Sequence, residues 1–117
     1  MRYMAPEVVA GSPYCKRCDI YMFGHCIYEA SVRKISYERH TEQEASRLAV
    51  SGKTPSIPSS CPGLFTTLME RCWDTKAKVR PSFKEICRIL GQKHLQVLGR
   101  TQRLQTAHPT LVSQDET

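Results

Sequence analysis

No run in the 117 residues approaches the ~20 apolar residues that a membrane-spanning helix needs, so a helical span is excluded. The start of the chain also lacks a basic region followed by an apolar stretch, because Pro6 and Glu7 interrupt it almost at once. Secretion therefore has no support, and an intracellular, cytoplasmic protein is expected. Six cysteines are too few for a disulfide scaffold at this length. They are read as free thiols, packed as small apolar groups. Aromatic residues make up only 8% and charged residues 24%, the balance of an ordinary globular chain and not of a disordered one. A chain this short forms one domain at most, with a modest core.

A basic stripe is missing as well. The formal net charge is +6, which calls for a test against nucleic-acid binding. Up to Gly91, however, 14 Lys and Arg stand against 9 Asp and Glu, scattered singly or in pairs such as Lys16-Arg17 and Arg33-Lys34. Without clustering or interleaved aromatics, this is a solvated, mildly basic surface, and no nucleic-acid partner is expected.

No segment alternates apolar and polar residues long enough for a strand, whereas helical spacing recurs, so the expected fold class is all-α. DIYMFGHCIYEA, residues 19 to 30, is apolar on most sides and belongs in a core, with Ile20, Phe23, Ile27 and Ala30 as its expected buried row. Asp19 stands where an N-cap is expected. Gly24 in mid-helix costs about 1 kcal/mol relative to alanine, which implies a close neighbour. Thr41 to Glu44 has capping-box spacing ahead of a short helix. Pro55, Pro58 and Pro62 keep 53 to 63 extended or turned until a helix bearing Leu64, Leu68 and Cys72 begins. Ser82 to Glu85 is a second capping box, opening a helix with Phe83, Ile86, Cys87 and Leu90 on one face and Gly91 as its stop.

Three segments in order, RYMAPEV at 2 to 8, CDIYMFGHCIYEA at 18 to 30 and CWDTKAKVRPSFKEI at 72 to 86, resemble the end of a eukaryotic protein kinase catalytic domain. Ala5-Pro6-Glu7 looks like the motif closing the activation segment. Asp19 to Gly24 looks like the start of the central helix of the larger lobe. The Ile57-Pro58, Cys61-Pro62 and Cys72-Trp73 pairs are similar to the tyrosine-kinase-like group, which includes Raf-like and plant kinases that mostly phosphorylate serine or threonine. The resemblance implies a partial kinase domain over 1–91, the C-terminal helical part of the large lobe with about four helices. Residues 92–117 are left as a tail, weakly helical and then disordered. It also implies that Glu7 pairs with Arg80 in a structural ion pair, and that Asp19 anchors the catalytic loop. Met1, Arg2, Tyr3, Met4 and Ala5 would contribute to the substrate shelf, and Trp73 is read as a core anchor.

Kinase chemistry needs a phosphate-binding loop, a catalytic aspartate and magnesium ligands. No two of the six glycines are close enough for G-x-G-x-x-G, none of His25, His40, His94 and His108 precedes Arg-Asp, and none of Asp19, Asp74 and Asp115 precedes Phe-Gly. ATP and Mg2+ are thus expected only for a full-length parent, and this chain is expected to bind no cofactor and to be inactive without the N-terminal part of the kinase domain. A core helix deprived of its catalytic-loop cover should leave apolar area exposed.

Two other functions compete. A kinase-like interaction protein would dock a substrate or regulator through 31–63. A zinc module would use Cys15, Cys18, His25 and Cys26, although a helix starting at Asp19 turns His25 and Cys26 apart. Cys18 and Cys26 are read in preference as core packing.

Overall fold

The computed structural model describes residues 2–92, and the chain divides between Phe83 and Lys84 into two units. Met1, and residues 93–117 of the expected 92–117 tail, lie outside the described residues. The described residues are helical, without a strand, as the all-α expectation has it. In chain order they form α1 (Pro6–Val9), α2 (Lys16–Val32), α3 (Glu42–Val50), α4 (Gly63–Cys72) and a 3-10 turn (Ala77–Val79). A fifth helix, α5, runs over 83–92. None is long and apolar enough to cross a membrane.

The first helix starts where a proline can begin one: Pro6 sits in the first turn behind the extended Ala5. The second starts one turn earlier than the sequence suggested. Cys15 is its extended N-cap, with φ −145° and ψ 170°, and its N–H donates to Cys18 Sγ at 3.5 Å. Asp19 is consequently inside the helix and is not its cap. Arg33 ends α2 in the left-handed region at φ 64°. The capping box of α3 forms as its spacing required: Glu44 N–H donates to Thr41 Oγ1 at 3.1 Å, and Thr41 N–H to Glu44 Oε1 at 2.9 Å. The last described helix, α5, continues through Gly91, which therefore does not stop it. Of its expected apolar face, Phe83 and Cys87 are exposed.

Helix α2 packs chiefly on α4, and α1 on α3. The face that α2 buries is Cys18, Ile20, Tyr21, Gly24, His25 and Tyr28, while Phe23 and Ile27 are half-buried and Cys26 and Ala30 exposed. An all-round apolar helix carries no periodic signal to choose its face, so of the expected row only Ile20 is fully buried. The choice is made at Gly24, where a Cβ would lie 2.7 Å from Trp73 Nε1 and 3.1 Å from Cys72 Cβ. The absent side chain lets the end of α4 press against the α2 backbone. Ala5, Cys18, Tyr21, Tyr28, Met69 and Trp73 form the core cluster around this crossing.

Candidate functional site

Arg80 is wholly buried, and four of its N–H groups are used. Its Nη1 donates to Glu7 Oε2 at 2.7 Å and its Nη2 to Glu7 Oε1 at 2.8 Å, the fork-on-fork geometry that a planar guanidinium allows. Nη1 also donates to the Arg17 carbonyl at 2.9 Å, and Nε to the Asp74 carbonyl at 2.8 Å. The Tyr21 ring lies under the guanidinium, 5.0 Å from its carbon. Arg17 completes the exchange by donating to the Arg80 carbonyl. One side chain thus binds α1, the first turns of α2 and the connector after α4. The Arg80 hydrogen bonds hold the Glu7 carboxyl below the usual carboxylate range, against the opposing effect of its burial.

The segment before α1 is pinned from both sides. Arg2 donates to the carbonyls of Ser36, Tyr37 and His40 at 3.1, 2.6 and 2.9 Å. Tyr3 Oη donates to Glu29 Oε2 at 2.6 Å, and the same oxygen accepts from the Ser36 N–H at 3.0 Å. That bond to Glu29 is also the main reason the Tyr3 hydroxyl titrates above its ordinary value. Along this segment an open groove of about 500 Å³ is lined by Tyr3, Met4, Ala5, Val8, Tyr14 and Met22, among others. The shelf residues Arg2 to Ala5 are therefore brought together along one groove. Asp19 does not line the groove but accepts a hydrogen bond from Tyr14 Oη, which does. Neither Arg17 as the reciprocal partner of Arg80 nor Tyr14 as the partner of Asp19 was expected, and nothing in the local spacing marks them.

Trp73 is 4% exposed, its ring 5.0 Å from His25 and 6.0 Å from Tyr28. His25 lies within an aromatic box that includes Tyr3, Tyr21 and Tyr37. Its Nδ1 shares a 2.9 Å hydrogen bond with Ser36 Oγ, while His25 Nε2 and Trp73 Nε1 are buried without partners among the described residues. The ligand set of the zinc reading is not assembled. His25 is committed to this box, Cys26 is exposed, and no group of three or more His, Cys, Asp or Glu converges among the described residues.

Burial pushes the His25 imidazole from 6.5 down to about 4. The folded chain therefore binds this proton more weakly than the unfolded chain does. Stability is whole above pH 6.5 and declines as the pH falls toward 4, by about 3 kcal/mol at most. Urea midpoints measured from pH 7 to pH 4.5 should fall, and a His25→Phe variant should lose most of that slope. An unchanged slope in the variant would assign it elsewhere.

A family model described as protein tyrosine and serine/threonine kinase matches residues 1–90. Among curated proteins, the chain is 42% identical over 88 residues to a Dictyostelium discoideum protein named "Probable LIM domain-containing serine/threonine-protein kinase", covering 75% of this chain and 14% of that one. It is 41% identical over 90 residues to a dual specificity protein kinase of the same organism, covering 75% and 18%. Against a serine/threonine/tyrosine-protein kinase of Arabidopsis thaliana it is 32% identical over 90 residues, covering 76% and 23%. The chain thus spans less than a quarter of the length of these relatives.

Proposed function

Because the chain belongs to the protein tyrosine and serine/threonine kinase family, we propose that it is the C-terminal helical part of a catalytic domain whose parent transfers the γ-phosphate of ATP to protein serine or threonine. The observation that carries this reading is the clamp of Glu7 by buried Arg80, which fixes the segment bearing Arg2 to Ala5 to the far end of the lobe. In the parent, that segment receives the protein substrate, and Asp19 anchors the catalytic loop.

The residues present do not fit a magnesium nucleotide. The Asp74 carboxylate accepts the Lys76 N–H at 2.8 Å, Asp19 accepts from Tyr14, and the sequence has no glycine loop for phosphates. ATP and Mg2+ accordingly belong to the parent, and the chain alone is inactive. The apolar groove beside Met4, Val8 and Met22 is the surface the upstream part of the domain covers. A protein regulator docks on 31–63, where a depression of about 300 Å³ lies beside Ile35, Leu48 and Pro55. The parent works inside the cell, in keeping with six free thiols.

The test is a transfer assay with γ-labelled ATP and a general protein substrate, run on the 117-residue chain and on the product of the reading frame extended upstream of Met1. The chain alone should transfer nothing, and the extended product should label serine or threonine. Transfer by the chain alone would overturn the assignment of its role. Labelling of tyrosine only would overturn the specificity.

A further inference from the structure

Two thiols stand side by side at the start of α2. Cys15 Sγ and Cys18 Sγ are 3.7 Å apart, Cys15 exposed and Cys18 1% exposed. The N–H of Cys15 already points to Cys18 Sγ, so the backbone between them is wound with both sulfurs on one side of the first turn. Their environments are opposite. The Arg17 N–H, followed by the Cys18 thiol, pulls the Cys15 thiol below its ordinary value, while burial pushes Cys18 above it. Such an arrangement gives one accessible attacking sulfur and one sheltered resolving sulfur within reach of it. Cys18 touches both the clamp, through Glu7, and the groove, but neither of these nor the kinase assignment uses the two thiols as a pair.

We propose that Cys15 and Cys18 are a redox dithiol that a hydroperoxide oxidises to an intrachain disulfide. The Cys15 thiolate attacks a peroxide oxygen. The O–O bond breaks, hydroxide leaves as water with the thiol proton, and sulfur loses two electrons to become a sulfenic acid. The Cys18 sulfur then attacks the Cys15 sulfur. The S–O bond breaks, a second water leaves with the Cys18 proton, and the S–S bond forms. One hydrogen peroxide and two thiols give one disulfide and two waters, and an external dithiol reverses the step.

The modification reaches the clamp. Reduced Cys18 donates its S–H to Glu7 Oε2 at 3.4 Å, the oxygen that Arg80 Nη1 also holds. In the disulfide that donor is gone, and Glu7 keeps Arg80 alone among these two. Oxidation at an exposed sulfur is thereby felt by the carboxylate that ties α1 to Arg80.

The full chain, fully reduced and then exposed to stoichiometric hydrogen peroxide, should lose about 2 Da in intact mass, restored by dithiothreitol. Trypsin cuts after Lys16 and Arg17, so a linked peptide pair is diagnostic of this disulfide. In a Cys18→Ser variant the same dose should leave a Cys15 sulfenic acid that dimedone traps. A Cys15→Ser variant should show no such link and no early adduct. Oxidation of exposed Cys26 or Cys87 ahead of Cys15 would overturn the proposal. So would a wild-type chain that accumulates dimedone-reactive Cys15 without the linked peptides.

Discussion

Replacing Glu7 with alanine is expected to lower the unfolding free energy of the full chain by about 3 to 5 kcal/mol, read as a shift of the urea midpoint at neutral pH. The magnitude follows from where the charge is left. Arg80 is 0% exposed at its side chain and Glu7 20%, so removing Glu7 strands the guanidinium with only the Asp74 and Arg17 carbonyls. For a domain whose total stability is about 5 to 15 kcal/mol, that loss leaves much of the chain unfolded in little denaturant. Glu7→Gln, which keeps an acceptor in place, should cost less. Arg80→Lys should also be harmful, since a point charge cannot serve the forked carboxylate and two carbonyls together. Exchanging both partners, Glu7→Leu with Arg80→Met, should recover a large part of the single-variant loss, because no buried charge then lacks a partner. A Glu7→Ala shift below about 1 kcal/mol would mean that the pair is worth no more than an exposed one.

The clamp also adds a second acid limb to the one from His25. Arg80 depresses the Glu7 carboxyl below 4.5 in the folded chain. The stability it provides is complete above the unfolded value and is lost as the pH falls through the folded one. His25 therefore acts from pH 6.5 downward, and Glu7 only below 4.5.

What could be read in the sequence depended on whether the signal was local. The Thr41 box was legible because both of its hydrogen bonds lie within three residues. Gly24 is legible as a close approach because a mid-helix glycine costs about 1 kcal/mol relative to alanine, which a tight contact can offset. The partnership of Glu7 and Arg80, 73 residues apart, has no periodic or spacing signal, and it entered only through the likeness to kinase motifs. The start of α2 escapes the sequence because a cysteine thiol, and not Asp19, meets the N–H at its N-cap, where cap preferences favour Ser, Thr, Asp or Asn. The buried face of α2 escapes the sequence for a different reason. Tyr21, His25 and Tyr28 carry polar atoms, so an apolar period points to Phe23 and Ala30 instead, yet rings with one polar tip bury well once neighbours stack on them. The glycine itself was the better guide, since residues three and four positions from it share the face it opens.

Trp73 is where that face meets α4, and Trp73→Ala should cost about 3 to 5 kcal/mol, among the largest losses a single truncation gives. The indole touches His25 and Tyr28 and closes the Gly24 crossing, so its removal opens a cavity on both helices. Gly24→Ala should act from the other side. Its methyl would stand 2.7 Å from Trp73 Nε1, and the overpacking cost of about 1 to 3 kcal/mol should outweigh the roughly 1 kcal/mol gained in helix propensity. The two sites must then couple. In a Trp73→Phe background the offending nitrogen is gone, together with a buried N–H that has no partner among the described residues. Trp73→Phe alone should accordingly cost far less than Trp73→Ala, and Gly24→Ala should be milder in that background than in the wild type. A double-mutant cycle of urea midpoints measures this directly. If the penalty of Gly24→Ala were the same in both backgrounds, the ring carbon and Cys72 Cβ, which would stand 2.9 and 3.1 Å from the methyl, and not the indole nitrogen, would set it.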